Sequence, residues 1–357
     1  MKYQLSYENR KIEWKRKEKF MNATMLPDKT KHHPVMLDQI LSIISPQHGG
    51  TFIDCTFGGG GYSEAILKYP NTKVLAIDRD DLTKHRAKIL KKKFPERFSF
   101  FQNKFSNLSK IIKSNLNPRA IIFDLGISSE QLADYKRGFS FQSEGRLNME
   151  MGINKYNAYD VVNMLDKKNL INIIKILGEE KDGKIIANSI IKQRTIKPIK
   201  TSEELASIVN KAKKNFNRYR KNPATKTFQA IRVFVNQELT ELIFGLTEAT
   251  KLLLNGGILI VVSFHSLEDR IVKNFFNLYS DLEKNPSRYL PLQEKKHGLF
   301  RQFSKKPLAP SKKEIYQNIR SRSAKLRYGT RNDNLFFYPE QIYKKFKKYF
   351  KLEEIKL

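Results

Sequence analysis

The chain of 357 residues lacks long apolar runs and carries only one cysteine, Cys55. A single cysteine excludes an internal disulfide and a cysteine-based zinc cluster, and it favours a reducing compartment such as the cytoplasm. The longest apolar run, near residues 258–262, is far shorter than the roughly 20 residues that span a bilayer. The sequence therefore predicts a soluble, cytoplasmic protein.

Acidic residues are also scarce, with 36 Asp and Glu against 67 Lys and Arg and a formal net charge of +31. This excess predicts affinity for a polyanion, because each neutralised phosphate releases condensed counterions. The alternative is an AT-rich genome, which enriches Lys, Asn and Ile. Hydrophobic residues still make up 40% of the chain, which excludes a wholly disordered protein. The composition favours a folded protein that binds nucleic acid.

No repeat of fixed period is present, which excludes solenoids and propellers. Short apolar runs instead alternate with amphipathic segments. The runs predict strands at residues 51–55, 73–78, 98–102, 120–125 and 258–263. Strands that alternate with helices at this spacing predict a parallel, doubly wound α/β sheet.

Other regions depart from that alternation. The expected division is a basic arm at residues 1–31, a sheet domain at 32–127 and 225–357, and a helical insertion at 128–224. The arm interleaves acids and has no apolar core, so it resembles neither a secretory signal nor a transit peptide. Outside the insertion we expect one long helix at 226–254, a loop at 280–313, and antiparallel strands at 324–328 and 335–338.

A glycine-rich turn, Asp54-Cys-Thr-Phe-Gly-Gly-Gly-Gly61, separates the first predicted strand from its helix. Glycines there let the backbone pass close to a ligand, and the following helix offers free N–H groups. A P-loop is excluded, because no Gly-Lys-Ser or Gly-Lys-Thr follows. Asp78, which ends the second strand, is placed to accept both hydroxyls of an adenosine ribose. The alternative role of Asp78 is to cap the next helix.

Two cofactors that contain adenosine fit this pattern, NAD and S-adenosylmethionine. NAD needs a tight turn for its pyrophosphate, whereas S-adenosylmethionine has no phosphate and carries a cationic sulfonium. Asp54 and Asp124, both at strand ends, place negative charge beside the turn and so favour the methyl donor. Asp124 is also the side chain best placed to accept a hydrogen bond from a reacting exocyclic amine. Its alternative role is a helix cap or a core-edge carboxylate.

Several motifs carry a more specific signal. They are Asp124-Leu-Gly-Ile-Ser-Ser129, Arg137-Gly-Phe-Ser-Phe141, Asn222-Pro-Ala-Thr-Lys-Thr-Phe-Gln-Ala-Ile-Arg232 with Asn236-Gln-Glu-Leu239, Ser263-Phe-His-Ser-Leu-Glu-Asp-Arg270 and Arg320-Ser-Arg-Ser-Ala-Lys-Leu-Arg327. In this order they resemble the bacterial 16S ribosomal RNA cytosine-N4 methyltransferase family, and the likeness runs from His32 to about Arg331. The resemblance implies a Rossmann-like class I methyltransferase sheet with an inserted helical domain. It also implies S-adenosylmethionine-dependent methylation of N4 of a cytidine in the decoding centre of small-subunit rRNA.

The resemblance further implies which residues contact the methyl donor. They are Gly60, Gly61, Tyr62, Asp78, Phe105, Asp124 and Gln131. Tyr62 stands where the family usually has histidine, and the alternative for Phe105 is an ordinary core aromatic. A second departure is Leu147-Asn148-Met149-Glu150-Met151, where the family typically has Leu-Asp-Met-Arg-Met. It leaves a non-catalytic ribosome-assembly factor as the alternative function.

The expected RNA-facing residues are basic and lie in two runs. They are Lys213, Lys214, Arg218, Arg220, Arg320 and Arg322, and the alternative is that both runs are merely solvated faces. We expect Tyr135, Phe139 or Phe141 to stack on the extruded cytosine. His265 is predicted either to contact the target cytidine in a catalytic role or to satisfy a buried loop.

The expected partner is small-subunit rRNA or the assembled small ribosomal subunit, without a metal ion, membrane or DNA. A DNA amino-methyltransferase is disfavoured, because the Asn- or Asp-Pro-Pro-aromatic tetrapeptide does not follow the fourth strand.

Overall fold

A seven-stranded sheet forms the centre of the computed structural model, which describes residues 34–112, 116–213, 222–280 and 298–357. The strands are β1 (Gly50–Asp54), β2 (Thr72–Asp78), β3 (Phe98–Gln102), β4 (Ala120–Asp124), β5 (Ile258–Ser263), β6 (Phe300–Phe303) and β7 (Lys325–Arg331). Their order is β3-β2-β1-β4-β5-β7-β6. Strands β1 to β5 pair in parallel, whereas β7 runs antiparallel to both β5 and β6.

Helices cover both faces of this sheet. Those before the insertion are α1 (Leu37–Ile44), α2 (Gly61–Leu67), α3 (Thr83–Lys93) and α4 (Leu108–Ile111). The insertion contains α5 (Ser129–Ala133), α6 (Ala158–Met164), α7 (Lys167–Leu177), α8 (Gly183–Ile196) and α9 (Ser202–Ala212). They are followed by α10 (Thr225–Asn236), α11 (Glu238–Leu252), α12 (Ser266–Tyr279), α13 (Lys312–Gln317), α14 (Glu340–Lys345) and α15 (Lys347–Glu353). None of the described helices is both long and apolar enough to cross a membrane.

Strand β4 shows how the sequence builds two cores. Successive side chains of a strand point to opposite faces, so Ile121 and Phe123 face one side while Ala120 and Ile122 face the other. All four are fully buried. The side of Ile122 packs against α1 to α3, and the side of Phe123 continues into one hydrophobic cluster with α11, α12 and the helices of the insertion. The insertion is therefore packed against the sheet through a shared core.

The predicted long helix at 226–254 is wrong, because the chain forms two helices that meet at Gln237. Gln237 adopts a left-handed backbone with φ 53°, which ends α10 and starts α11. Across this break Arg232 makes two hydrogen bonds of 2.7 Å to the Glu238 carboxylate. The break lets α10 pack on α7 of the insertion while α11 packs under the sheet. The break occurs at a polar residue and leaves the hydrophobic pattern of both helices intact, so hydrophobic periodicity alone does not reveal it.

Two other sequence predictions near the C-terminus also fail. Residues 281–297 of the expected loop at 280–313 lie outside the described residues, but its later part contains strand β6, which pairs with the distant β7 and forms one further bridge from Phe300 to Ser280. The expected strand at 335–338 is irregular and precedes α14. Its aromatic residues pack on other rings instead of on a neighbouring strand, with centroid distances of 5.9 Å for Phe337 and Tyr279 and 5.1 Å for Tyr338 and Tyr343. Short strands depend on partners that local sequence does not reveal.

Lys213 is buried at the end of the insertion, which corrects its predicted role at the RNA-facing surface. Its Nζ lies 2.5 Å from Glu180 Oε2 and 3.0 Å from the carbonyl oxygen of Pro223. Both side chains are at least 96% buried, with 3% and 4% exposed. The predicted partners of Lys213 in this run, Lys214, Arg218 and Arg220, lie outside the described residues.

Replacing Lys213 with methionine is expected to lower the free energy of unfolding by about 3 to 5 kcal/mol, because Glu180 would remain as an unpaired buried carboxylate. Lys211→Met, at an exposed position of α9, is the matched control and should change this quantity by less than about 0.5 kcal/mol. Denaturant unfolding of both variants measures the difference. Equal stability of the two variants would contradict a structural role for Lys213.

Candidate active site

A cavity opens at the carboxyl ends of the parallel strands, the edge at which ligands bind in open α/β folds. Its acidic lining residues are Asp78, Asp124, Glu238, Glu241 and Glu268, and its basic lining residues are Arg79, Lys104 and Arg320. Six of the seven predicted donor contacts also line it, namely Gly61, Tyr62, Asp78, Phe105, Asp124 and Gln131. Gly60 is the predicted contact that does not.

Gly60 gives the glycine turn its shape. The neighbouring glycines Gly58, Gly59 and Gly61 line the cavity. Gly60 has φ +75°, and a Cβ there would lie 2.7 Å from the ring of Phe57. A Cβ on Gly61 would lie 2.3 Å from the Pro34 side chain, which covers the turn. Gly60 therefore closes the turn and begins α2 without forming the cavity wall.

The Asp78 carboxylate fixes the glycine turn to the end of β2. Its Oδ2 accepts a hydrogen bond of 2.8 Å from the Gly58 N–H, and its Oδ1 accepts one of 2.9 Å from the Asp80 N–H. Burial raises the pKa of Asp78 to about 6. Each carboxylate oxygen has a second lone pair, so Asp78 retains acceptor capacity for hydroxyl groups in the cavity.

Asp124 ends β4 and presents a carboxyl group to the cavity. Its Oδ1 is buried, and no residue in the described part of the chain hydrogen-bonds to it. Burial, reinforced by the nearby Asp54, raises the pKa of Asp124 well above its usual range. Asp54 itself is fully buried, does not line the cavity, and accepts a 2.7 Å hydrogen bond from Ser63. The predicted direct influence of Asp54 on a ligand is therefore corrected to an electrostatic effect on Asp124.

Tyr62 is buried at the floor of the cavity, between the glycine turn and Asp124. Its hydroxyl donates a hydrogen bond to the carbonyl of Val35 and lies beside the Asp124 carboxyl. Burial raises the pKa of Tyr62 well above its usual range, so the phenol stays protonated. The hydroxyl of Tyr62 is therefore shared between the carbonyl of Val35 and the carboxyl of Asp124, and Tyr62 helps to position Asp124.

Phe105 and Gln131 both line the cavity. The Phe105 ring packs edge-to-face on Phe123, with 5.2 Å between the centroids, and keeps part of its surface open. Gln131 belongs to the capping box that begins α5, where its Oε1 accepts from the Ser128 N–H. Its Nε2 donates a 2.6 Å hydrogen bond to Asp80 Oδ2. Both amide ends of Gln131 are therefore used to hold the wall in place.

Asp80 joins the end of β2 to residues after β4, a connection that the sequence did not predict. Its buried Oδ2 accepts from Gln131 Nε2 and from Arg137 Nη1, each at 2.6 Å. Arg137 also donates to the carbonyl of Glu150. The signal was present, because Arg137 begins one of the quoted motifs and Asp80 follows Asp78 by two residues. Asp80 therefore ties the end of β2 to the segment that contains Asn148 and Glu150.

Glu268 lines the cavity, whereas His265, one of the predicted substrate contacts, does not. The His265 side chain is 10% exposed, does not line the cavity, and places Nε2 3.2 Å from Glu268 Oε1. Burial raises the pKa of Glu268, but His265, the Phe264 N–H and Arg232 outweigh that effect, so the pKa lies below its usual value. The cavity lining thus gives no support to direct contact between His265 and a substrate.

Ligand atoms of Glu238, His265 and Glu268 lie within 4.8 Å of one another, close enough to suggest a metal cluster. However, Arg232 occupies both carboxylate oxygens of Glu238 at 2.7 Å. A guanidinium already supplies the positive charge that these carboxylates need, so we assign no metal to them.

The aromatic residues predicted to stack on the target base differ in exposure. Phe139 is buried under the guanidinium of Arg137, and Phe141 packs edge-to-face on Phe228 with 4.7 Å between centroids. Both contribute to the core, which corrects their predicted role. Tyr135 is 59% exposed and does not line the cavity.

The cavity fits a cationic methyl donor without phosphate. Asp124 Oδ1 is an unsatisfied buried acceptor, which a cation or donor group in the cavity would satisfy. Among the basic lining residues, Arg79 donates to the main-chain carbonyls of Asn236 and Ile153, and Lys104 donates to Gln237. These two cations are therefore held by the protein. The five acids that line the cavity, named here the acidic floor, outnumber the remaining base, Arg320.

The strand order, the antiparallel β7 between β5 and β6, and an acid at the end of β2 define a class I methyltransferase. The sequence pattern of the MraW methylase family matches residues 29–332, and the chain belongs to that family. The expectations of this fold class, of the family, and of S-adenosylmethionine as methyl donor are confirmed.

Several relatives of the chain are described as ribosomal RNA small subunit methyltransferase H. The relative from Ehrlichia canis is 45% identical over 300 residues, which cover 83% of this chain and 98% of the relative. Those from Bartonella bacilliformis and Parvibaculum lavamentivorans are 43% and 40% identical, over 84% of this chain in both cases and over 90% and 89% of the relatives. Similarity thus extends over most of each protein.

Proposed function

We propose that this chain transfers a methyl group from S-adenosylmethionine to N4 of a cytidine in 16S rRNA. The observation that carries the proposal is Asp124 Oδ1, a buried acceptor without a hydrogen-bond partner among the described residues, on a side chain that lines a cavity built in part from family motifs. Membership in the MraW methylase family and the description of the relatives as small-subunit rRNA methyltransferases support it.

The residues that would hold the donor come from three strand ends. Asp78 accepts hydrogen bonds from the ribose hydroxyls, the backbone of the glycine turn lies against the donor, and Phe105 flanks the adenine. When bound, S-adenosylmethionine supplies an electrophilic methyl group. The acidic floor around Asp124 stabilises its positive charge. Gly60, Tyr62 and Gln131 act by shaping the turn, the floor and the wall.

Asp124 would act on the amine of the target cytosine. The lone pair of that amine is delocalised into the ring, which makes the nitrogen a weak nucleophile. A carboxylate that accepts from the N–H raises the electron density on nitrogen and guides the leaving proton. Glu268 lies in the same wall and contributes negative charge near Asp124.

The partner that we propose is the small-subunit rRNA, bound alone or within the assembled small subunit, in the cytoplasm. The absence of the Asn- or Asp-Pro-Pro-aromatic tetrapeptide after β4 speaks against a DNA amino-methyltransferase. Arg320, at the rim of the cavity, and the exposed Arg322 remain proposed RNA contacts.

A non-catalytic assembly factor is the second candidate, because Asn148 and Glu150 depart from the family motif. In the structure, Asn148 Oδ1 accepts a 2.9 Å hydrogen bond from the Glu150 N–H, which an aspartate oxygen would also accept. Arg137 contacts the main chain of Glu150, so that contact does not depend on its side chain. The main-chain contacts of this segment are therefore kept with Asn148 and Glu150 in place, which favours an active enzyme.

The wild-type chain is expected to methylate purified small subunits in a single turnover, and Asn148→Asp with Glu150→Arg is expected to increase the rate only modestly. The reason is that Asn148 already makes the local hydrogen bond, so the substitutions add charge without restoring a contact. Absence of wild-type product together with rescue by the double variant would instead identify a non-catalytic binder. Asn148→Asp alone is the control that separates the two charge changes.

A further inference from the structure

A surface next to the cavity carries the proposed RNA contacts Arg320 and Arg322, but its exposed apolar side chains have no role so far. It comprises α13 and the 3₁₀ turn that follows, residues 312–323, and is named here the rim segment. Asn318 and Arg320 of this segment line the cavity. Two large apolar side chains of the segment face solvent, since Tyr316 is 67% exposed and Ile319 is 62% exposed. Tyr316 does not line the cavity itself but precedes the lining residue Asn318 by two positions, and an exposed aromatic ring so placed is a stacking surface for a base next to the one that enters the cavity.

The rim segment is firmly attached to the donor side of the cavity. Glu314 Oε1 accepts a 2.6 Å hydrogen bond from the Met36 N–H, and Ser311 caps α13 through the Glu314 N–H at 3.1 Å. Ser321 is fully buried and donates to the carbonyl of Asn318 at 2.8 Å. Tyr316 therefore projects from a fixed support, which lowers the entropic cost of binding.

The charge of the rim segment is opposite to that of the cavity floor. Its basic residues are Lys312, Lys313, Arg320 and Arg322, and none of the four forms an ion pair within the described parts of the chain. Its only acid, Glu314, is directed at the Met36 N–H. Burial lowers the pKa of Arg320, and no acid among the described residues offsets that effect.

This distribution of charge orients a nucleotide. The acidic floor repels a phosphate and admits a neutral base, whereas the basic rim attracts the phosphate. A nucleotide therefore enters with its base towards Asp124 and its phosphate at Arg320. The chain next to that nucleotide then lies across Tyr316.

We propose that the rim segment docks the single-stranded RNA that flanks the target cytidine, with Arg320 on the adjoining phosphodiester and Tyr316 stacked on a neighbouring base. This inference rests on the proposed function, because it takes RNA as the substrate. Stacking on an aromatic side chain tolerates any base, so Tyr316 contributes affinity and position without reading sequence.

Tyr316→Ala is expected to weaken binding of purified small subunits by about ten- to a hundredfold. Tyr316→Phe keeps the ring and should bind within about twofold of wild type. Tyr338→Ala removes a similarly exposed tyrosine, 54% exposed, outside the rim and cavity, and should leave binding unchanged. Equal affinity of wild type and Tyr316→Ala would overturn the stacking role.

Arg320→Gln is expected to weaken RNA binding and to reduce the slope of log affinity against log salt by about 0.7, the value for one contact to a single strand. Calorimetry should show unchanged affinity for S-adenosylmethionine. Loss of donor affinity with an unchanged salt slope would place the guanidinium on the donor carboxylate and overturn its assignment to RNA.

Binding and methylation are measured separately, so failure of the inference is distinguishable from failure of the proposed function. A wild-type chain that methylates small subunits but tolerates Tyr316→Ala contradicts the docking surface alone. A wild-type chain that binds through Tyr316 but transfers no methyl group contradicts the enzyme and supports the docking surface.

Discussion

Replacing Asp124 with alanine is expected to lower the single-turnover rate of methyl transfer by about 10² to 10⁴, the usual contribution of a positioned acid or base. Asp124 lines the cavity, and its Oδ1 has no hydrogen-bonding partner among the described residues, so this oxygen is free to accept from the amine of the target base. Donor affinity should fall less than the rate, because Asp78 and the glycine turn remain. Single-turnover methylation and calorimetry with the donor measure the two quantities.

Asp124→Asn is the shape-matched control, since it keeps an acceptor oxygen and loses the charge. If hydrogen bonding by residue 124 dominates, Asp124→Asn should be more active than Asp124→Ala. If the negative charge dominates, the two variants should have the same low activity. A loss of donor affinity as large as the loss of rate would show that Asp124 serves only the donor.

Methyl transfer by the wild type is also expected to increase with pH. Burial and Asp54 raise the pKa of Asp124 well above its usual range, so the protonated, weaker acceptor persists to higher pH than in an exposed aspartate. Activity that depends on the ionised form therefore appears as pH rises through that raised pKa. A profile of rate against pH for wild type and Asp124→Asn checks this, because the asparagine cannot titrate. The same pH dependence in both would assign it to another group.

Replacing Asp78 with alanine is expected to lower the affinity for S-adenosylmethionine about tenfold or more. Hydrogen bonds to a charged group contribute roughly 1.5 to 3 kcal/mol each, and two ribose hydroxyls lose their acceptor. The variant also loses the contacts to the Gly58 and Asp80 N–H groups, so thermal unfolding without donor must accompany the calorimetry. Unchanged donor affinity in a folded variant would remove Asp78 from the donor site.

Donor affinity should also fall as the pH drops below about 6, the value to which burial raises the pKa of Asp78. Protonation removes the charge that strengthens the hydrogen bonds to the ribose. Asp54→Asn is the matched control, because burial raises the pKa of Asp54 to about 6 as well, but its side chain lies outside the cavity. This variant should keep the pH dependence, whereas Asp78→Asn should lose it.

The sequence by itself determined the sheet, the turn and the acids at the strand ends. Apolar runs such as Ala120–Asp124 are buried on both faces of a parallel sheet, so they are recognisable without any partner. The positions of Asp78 and Asp124 follow from the same rule, since parallel strands end at one edge. Family motifs added Phe105 and Gln131, which local patterns do not distinguish from core or capping residues.

Only the tertiary structure decided which polar groups meet. Lys213 pairs with Glu180, Arg137 with Asp80, and Glu268 replaces His265 in the cavity wall. Each contact joins residues that are distant in the chain or differ only in the direction of a side chain, and neither property leaves a periodic signal. The break at Gln237 has the same origin, because a left-handed residue is favoured there by packing of two helices against different partners. Local sequence determines the helices and strands, whereas long-range packing determines which charged side chains meet.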